Sequence, residues 1–317
     1  MTLPTTTFQK WRFALKPGSW PKLFVPMMMG HALGGAQRGG LDLEVAVVGA
    51  VLTFFLLASI VLLNDFGDRE VDKIKRRIYP HSSPKTIPDG VLPAHHLLFA
   101  GVAAGSVFVA GSFWAASWAG RPGFGWLGVL AFMTFAAYSL PPLRLNYRGG
   151  GELLEMLGVG FVLPWMNAYL QAGLGAESAW WFPKASVLFG GLMLLALSSA
   201  IASGLSDEVS DRRGGKKTFT TAFGNPAARR LVETLVLFAV VAFLAAGIFS
   251  AHVPFPVVLP TCAMLLWRRH QMRTLSPAAV TGSLNVLSTY KARLHAGTWR
   301  GVEVLAGALI AYRMFIG

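Results

Sequence analysis

Two short acidic clusters stand at the ends of otherwise apolar stretches: Asn64-Asp65-Phe66-Gly67-Asp68-Arg69-Glu70-Val71-Asp72 and Asp207-Glu208-Val209-Ser210-Asp211. In each, aspartates recur four residues apart (Asp68 and Asp72; Asp207 and Asp211), and on a helix that spacing puts both carboxylates on one face, one turn apart. Paired carboxylates suit a hard divalent cation such as Mg²⁺, which takes oxygen ligands and is commonly shared between one or two carboxylates and a substrate phosphate. Two such clusters facing each other could clamp a diphosphate between them. Glu70 points off the Asp68/Asp72 face of a regular helix and reads as a solvated neighbour.

The elements that must position these groups belong to a membrane protein. Of 317 residues, 54% are hydrophobic and only 14% charged, too apolar for a soluble domain. Apolar runs near the length that crosses a bilayer fall at about 18–36, 43–63, 95–118, 124–141, 152–174, 184–205, 229–249, 253–267 and 295–316, an expectation of nine helices. The first contains Lys22, Pro21 and Pro26; the eighth is short and carries Pro254, Pro256 and Pro260. Residues 1–16 carry Lys10, Arg12 and Lys16 without a compact apolar region and small-residue cleavage site, so no cleavable signal is expected. The methionines and tryptophans read as lipid-facing and interfacial packing.

Charge placement tests that count independently. Of the 28 lysines and arginines, all but Arg38, Arg121, Lys184 and Arg313 fall in alternate segments. Those segments are the N-terminus to Lys22, the loop after the second span, Arg144 with Arg148, the stretch up to Arg230, and the stretch from Arg268 to Arg300. The net charge of +13 therefore reads as positive-inside topology plus a polyanionic ligand, with the N-terminus and both acidic clusters cytoplasmic. The bias belongs to loops and no soluble domain exists to carry a groove, so a nucleic-acid partner is excluded. The single cysteine, Cys262, rules out an intrachain disulfide.

The expected organisation is a single membrane-embedded domain over 1–317. Each acidic cluster follows an apolar run and precedes a basic stretch (Lys73, Lys75, Arg76, Arg77; then Arg212, Arg213, Lys216, Lys217), which suggests pseudo-repeat halves at about 18–141 and 152–267 with a ninth helix at about 295–316. Residues 64–94 form the longest polar segment and the candidate for a cytoplasmic cap. Pro80, Pro84, Pro88 and Pro93 make its second half irregular.

These motifs resemble a known family. Asn64-Asp65-x-x-Asp68-x-x-x-Asp72 after the second span is similar to the NDxxDxxxD motif of the UbiA superfamily of intramembrane prenyltransferases. Residues 16–30, KPGSWPKLFVPMMMG, are like the family's first helix, and Ser83-Pro84-Lys85-Thr86-Ile87-Pro88-Asp89-Gly90 occupies the place of its R-P-L-x-x-G stretch. Tyr138-Ser139-Leu140-Pro141-Pro142-Leu143-Arg144 is like its Y-x-x-P-x-x-[KR], and Asp207 to Thr218 is like its second Asp motif. The resemblance implies an all-α fold of nine transmembrane helices around a central cavity under a cytoplasmic cap. It also implies an integral protein of the cell inner (plasma) membrane, with the active site facing the cytoplasm and two Mg²⁺ ions holding a polyprenyl diphosphate. By motif position, Asn64, Asp65, Asp68 and Asp72 serve one half of the metal-diphosphate site and Asp207 and Asp211 the other, with Lys85, Tyr138, Arg144, Lys216 and Lys217 at the diphosphate. The physical logic agrees, because pre-placed cations stabilise negative charge on a departing diphosphate while an apolar pocket shields an allylic cation from water.

The acceptor is less legible. Leu145-Asn146-Tyr147-Arg148-Gly149-Gly150-Gly151-Glu152 resembles the YRGxGE-like loop of 1,4-dihydroxy-2-naphthoate (menaquinone-type) polyprenyltransferases, which tilts the reading toward an aromatic acceptor of lipid-quinone biosynthesis, menaquinone- or ubiquinone-type. Ala202-Ser203 departs from that pattern, standing where those enzymes repeat an Asn-Asp and leaving fewer carboxylates on that side. Glu152 and Glu155 begin a span, where helix-dipole stabilisation and an intramembrane role account for them equally. The same fold with a glycerol phosphate, phosphosugar, haem or chlorophyllide acceptor, or a terpene cyclase, is the alternative within enzymes. A secondary transporter is the rival of another class, but it would place acids at mid-span rather than at the ends of spans beside dense Lys and Arg. The DGxxAR core of CDP-alcohol phosphotransferases is missing.

Overall fold

Backbone polar groups left bare in hydrocarbon are costly, so an apolar chain of this kind closes its hydrogen bonds within helices. The computed structural model describes residues 3–173, 187–250, 253–280 and 284–315, and every regular element among them is helical. Apart from a 3-10 turn at Pro17–Ser19, in order these are α1 (Thr7–Ala14), α2 (Pro21–Arg38), α3 (Leu43–Ile78), α4 (Ala94–Trp118), α5 (Phe124–Ser139), α6 (Leu145–Arg148) and α7 (Gly151–Ala172). Then follow α8 (Leu188–Leu205), α9 (Glu208–Arg213), α10 (Phe219–Phe223), α11 (Asn225–Phe249), α12 (Phe255–Val280) and α13 (Leu284–Phe315).

Among the described residues, five helices are long and apolar enough to cross a membrane: α3, α4, α7, α8 and α11. The apolar α5 is shorter. The remaining expected spans coincide with α2, α12 and α13, which carry more polar residues. Lys184 and the first residues of the sixth expected span lie outside the described residues. Phe99, Trp126, Ile248 and Phe249 are each more than 60% exposed, the inverse of a soluble surface and the pattern of helices that face lipid.

α3 positions the first acidic cluster. Asp42 caps it by accepting from the backbone N–H of Glu44 and Val45 at 3.1 and 3.2 Å. The helix then runs 36 residues without a break, well past the end of the apolar run at residue 63. The polar half of the acidic segment is thus a helical extension of a membrane span, closed by Lys75, Arg76 and Arg77, whose charges complement the helix dipole. Residues 79–93 are irregular, as their prolines require.

Helices pack in a closed ring: α2 meets α3, α7 and α13; α4 lies against α3 and α5; α8 touches α7 and α11; α12 joins α11 to α13. The contact of α2 with α7 depends on two glycines four residues apart. A Cβ on Gly30 would stand 2.3 Å from the Pro164 carbonyl oxygen, and one on Gly34 would stand 2.4 Å from that of Ala168. Gly30→Val is therefore expected to destabilise the fold by about 1–3 kcal/mol or more through overpacking against backbone. Thermal unfolding in detergent checks this, and an unchanged midpoint would contradict the close approach.

Candidate active site

The ring encloses a cavity of about 290 Å³ that gathers both acidic clusters. From α3 come Asn64, Asp65, Asp68 and Asp72; from the α8–α9 junction and α9 come Asp207 and Asp211; from α7 come Glu152 and Glu155. Six lysines complete the lining: Lys16, Lys22, Lys75, Lys85, Lys216 and Lys291.

Most of these charges are matched one to one. Lys16 pairs with Asp65 and Lys75 with Asp207. Lys216 lies 3.0 Å from Asp68, Lys85 lies 2.7 Å from Asp72, and Lys22 lies 2.5 Å from Glu155. Lys216 belongs to the second acidic motif and Asp68 to the first, so their pair ties the two together. Thr86 donates to Asp65 at 2.7 Å, Asn146 donates to Asp68 at 3.4 Å, and Ser139 donates to Asn64 at 3.3 Å.

The irregular segment after α3 brings Lys85 over the cavity by a local device. Asp89 accepts the Lys85 backbone N–H at 2.7 Å and the Arg76 side chain at 2.9 Å, folding the segment back onto the end of α3. Burial disfavours the Lys85 charge, but the carboxylates of Asp72 and Asp207 outweigh it and hold its pKa above the ordinary value. Lys216 follows the same pattern, with Asp68 and Asp211 as the opposing carboxylates. The two aspartates of the second cluster diverge. Burial raises Asp211, Lys216 offsets this only in part, and Asp207 and Asp68 add repulsion, so its pKa rises to about 7. Asp207 is held well below the carboxylate range, because Lys291, Lys75 and Lys85 outweigh its burial.

An all-oxygen donor set fits a hard divalent cation. Among the described residues no three of His, Cys, Asp and Glu converge closely enough to hold an ion unaided. The carboxylates are spread around the cavity wall, an arrangement that fits a cation whose remaining ligands come from a diphosphate placed between them.

The placement of the other expected residues is uneven. Tyr138 lines the cavity. Arg144 does not: its guanidinium donates to the Gly67 carbonyl at 2.5 Å and stacks 3.6 Å from the Tyr147 ring centroid, behind the acidic face of α3. Lys217 is exposed, its backbone donating to the Tyr147 carbonyl. Glu152 and Glu155 both reach the cavity, Glu152 also accepting the Phe219 N–H at 2.7 Å. His31 is packed away from it, its Nδ1 3.0 Å from Gln171 and its Nε2 against Gly49. Glu70 is a surface residue paired with Lys73.

Sequence reasoning missed Lys16, Lys22, Lys75 and Lys291 as cavity groups. The first three stood in stretches the sequence singled out, Lys16 and Lys22 in residues 16–30 and Lys75 in the basic run after the first acidic cluster, but were counted only toward a positive-inside bias, which does not separate a lysine facing headgroups from one facing a ligand. Lys291 was assigned to a loop because the apolar run begins at 295, whereas α13 begins at Leu284.

No curated protein matches the sequence. Among solved structures, a UbiA homolog from Archaeoglobus fulgidus bound to GPP and Mg²⁺ has a TM-score of 0.69 at 16% identity, covering 95% of this chain and 99% of that one. The apo structure of a UbiA homolog from Aeropyrum pernix K1 has a TM-score of 0.62 at 17% identity, covering 87% and 96%. A digeranylgeranylglyceryl phosphate synthase has a TM-score of 0.59 at 13% identity, covering 96% and 99%. At these identities the likeness establishes the fold. The pattern of the UbiA prenyltransferase family matches residues 23–287, most of the chain, and the protein therefore belongs to that family and is a prenyltransferase.

Proposed function

We propose that the protein transfers a polyprenyl group from a polyprenyl diphosphate to a small aromatic acceptor of lipid-quinone biosynthesis. The observation that carries the prenyl-diphosphate half of this reading is the convergence of two acidic motifs, far apart in sequence, on one lysine-rich cavity between membrane helices, and the aromatic acceptor rests on the resemblance of the loop from Leu145 to Glu152. Asn64, Asp65, Asp68, Asp72, Asp207 and Asp211 would hold Mg²⁺, which supplies positive charge for the developing diphosphate anion when bound. Lys85 and Lys216 turn their ammonium groups from carboxylates toward phosphate oxygens, and Tyr138 forms part of the wall beside them. Relatives of the same fold solved with DMAPP and Mg²⁺, with GPP and Mg²⁺, and with Cd²⁺ support divalent-cation chemistry on a prenyl diphosphate here.

One observation favours a second acceptor class: the fold is shared with a digeranylgeranylglyceryl phosphate synthase, consistent with a glycerol phosphate acceptor. Incubating the purified protein with one labelled prenyl diphosphate and a panel of hydroxynaphthoate, hydroxybenzoate and prenylglycerol phosphate decides between them. A prenylated aromatic acid is expected. Product from prenylglycerol phosphate alone would overturn the aromatic reading, and a free hydrocarbon without acceptor would point to a cyclase.

The proposed orientation, N-terminus and active site cytoplasmic with nine spans, rests on the charge bias. Arg77 and Arg213 are both exposed beyond the two acidic clusters. Cysteine placed at either position, in a Cys262→Ser background, is expected to react with an impermeant maleimide from the cytoplasmic side only. Labelling from opposite sides would break the topology.

A further inference from the structure

Two acidic side chains in the cavity have no part in the metal and diphosphate roles given above: Glu152 and Glu155, both on α7. Glu152 is committed to the fold, since it accepts the Phe219 N–H at 2.7 Å and satisfies the first turn of α10. Glu155 is buried in a membrane-spanning helix, where its Oε1 faces Lys22 across an ion pair and accepts no hydrogen bond among the described residues. An acid held that way is costly, and one that faces a substrate cavity is a functional group by default. Resting on the prenyl-transfer reading, we infer that Glu155 is the catalytic base that takes the hydroxyl proton of the acceptor.

The path of α7 aims this residue. The helix is regular from Gly151 to Leu157 and widens into a π-turn at Gly158–Val162, where the Leu163 N–H reaches back five residues to the Gly158 carbonyl. It is regular again from Leu163. Pro164, which has no N–H to offer the Gly160 carbonyl, releases the turn. Asn167 faces α2, because a Cβ on Gly30 would stand 2.8 Å from the Asn167 Cβ. At about 100° per residue, an unbroken helix would set Glu155 about 120° around the axis from Asn167, turned away from α2. The π-turn absorbs one residue and reduces that angle to about 20°. Glu155 thereby shares the side that faces α2 and meets Lys22.

Depth supports the same role. Glu155 lies three residues further into the bundle than Glu152, about 4.5 Å along the axis. A prenyl diphosphate with its phosphates among the aspartates directs its first carbon toward the hydrocarbon, the side on which Glu155 stands. The hydroxyl of the acceptor gives its proton to the Glu155 carboxylate. The oxygen of a glycerol phosphate, or the hydrogen-bearing ring carbon beside the oxygen of a hydroxyaromatic acid, forms a bond to that first carbon. The C–O bond there breaks, and its electron pair leaves with the diphosphate. On an aromatic ring the hydrogen at the attacked carbon then passes through water to the ketone oxygen and restores the hydroxyl. Either acceptor releases one proton per transfer, which Glu155 returns to solvent.

Glu155→Gln, close to isosteric, tests this in the full-length protein. The kcat for transfer is expected to fall about a hundredfold or more, with the KM for prenyl diphosphate unchanged. Oxygen-isotope scrambling between the bridging and non-bridging positions of prenyl diphosphate, which reports ionisation without an acceptor, is expected to persist and shows that the site is intact. Whether the wild type prenylates hydroxybenzoate or prenylglycerol phosphate identifies the source of the hydroxyl. Ring-fluorinated hydroxybenzoates, whose hydroxyls are more acidic, need the base least and are expected to recover much of the lost rate. Lys22→Met combined with Glu155→Gln removes both charges of the ion pair and is expected to remain slow. Recovery of the wild-type kcat in that double variant would mean that Glu155 only balances Lys22, and overturns the base. Equal losses across hydroxybenzoates of different acidity, or scrambling lost in step with transfer, overturn it as well. A wild type that scrambles the label but prenylates no hydroxylated acceptor defeats the transfer reading itself, a failure distinct from an undiminished Glu155→Gln in an enzyme that does transfer.

Discussion

Asp68→Ala and Asp211→Ala are each expected to lower the rate of prenyl transfer by on the order of a hundredfold or more while leaving the protein folded. Both carboxylates line the cavity, and Lys216 stands between the motifs that carry them. On the proposed reading, their removal would take away oxygen ligands for a cation that meets charge developing on the diphosphate, an interaction stronger in the transition state than in the ground state. Asp68→Asn, which keeps the shape and still hydrogen-bonds, separates loss of charge from loss of packing around Asn146. Excess EDTA should abolish activity in the wild type, and full activity in its presence would refute the role given to both residues. A thermal midpoint close to wild type for each variant establishes that the loss belongs to the chemistry.

Lys216→Ala is expected to raise the KM for prenyl diphosphate by about ten- to a hundredfold, the cost of one charge-assisted contact to phosphate. Arg144→Ala is expected to act differently. Its guanidinium is engaged with the Gly67 carbonyl and the Tyr147 ring, and it sits in a left-handed backbone conformation with φ at 43°. Removing it frees a carbonyl on α3 and the turn that leads into α6, so the expected result is a loss of about 1–3 kcal/mol of stability and similar changes in both KM values. Arg144→Lys should recover little, because a point charge does not reproduce a planar fork stacked on a ring. If Arg144→Ala matched Lys216→Ala in a selective effect on prenyl diphosphate, Arg144 would belong to the diphosphate site after all. Lys217→Ala, at an exposed position, serves as the neutral control.

The two residue sets differ in how readable they were. Asp68 and Asp72 announce themselves because a helix converts a spacing of four into a shared face, and that conversion needs no tertiary information. Lys216 and Lys217 are adjacent in sequence and indistinguishable by charge; only the fold decides that the backbone of one anchors to Asp211 and its side chain turns inward, while the other faces out. Arg144 follows the same logic in reverse, a cation near two acidic clusters whose nearest acceptor is a backbone carbonyl. The helices themselves were legible wherever apolar runs were long, as in α3, α4 and α11. Their polar extensions were not, since hydropathy ends at residue 63 while the hydrogen-bond ladder of α3 continues to Ile78. Lys291 was lost for that same reason on α13.

That unbroken ladder on α3 makes the helix a ruler laid across the bilayer. Thirty-six residues at 1.5 Å each extend about 54 Å, so Asn64 through Asp72 are indexed from the capped turn at Asp42 on the far side of the membrane. The phase of the carboxylates around the helix, and their height above the hydrocarbon, are written into the number of residues between Asp42 and Asn64. One residue more or fewer in that stretch would rotate the whole acidic set by about 100° and shift it by about 1.5 Å, aiming it at a neighbouring helix without touching any residue that bears a charge. Exposed side chains on the greasy half of α3, such as Val47 and Val51, are free to vary with the lipid they meet, whereas Gly49, Leu56 and Leu57, packed inside the bundle, and the helix's residue count are not.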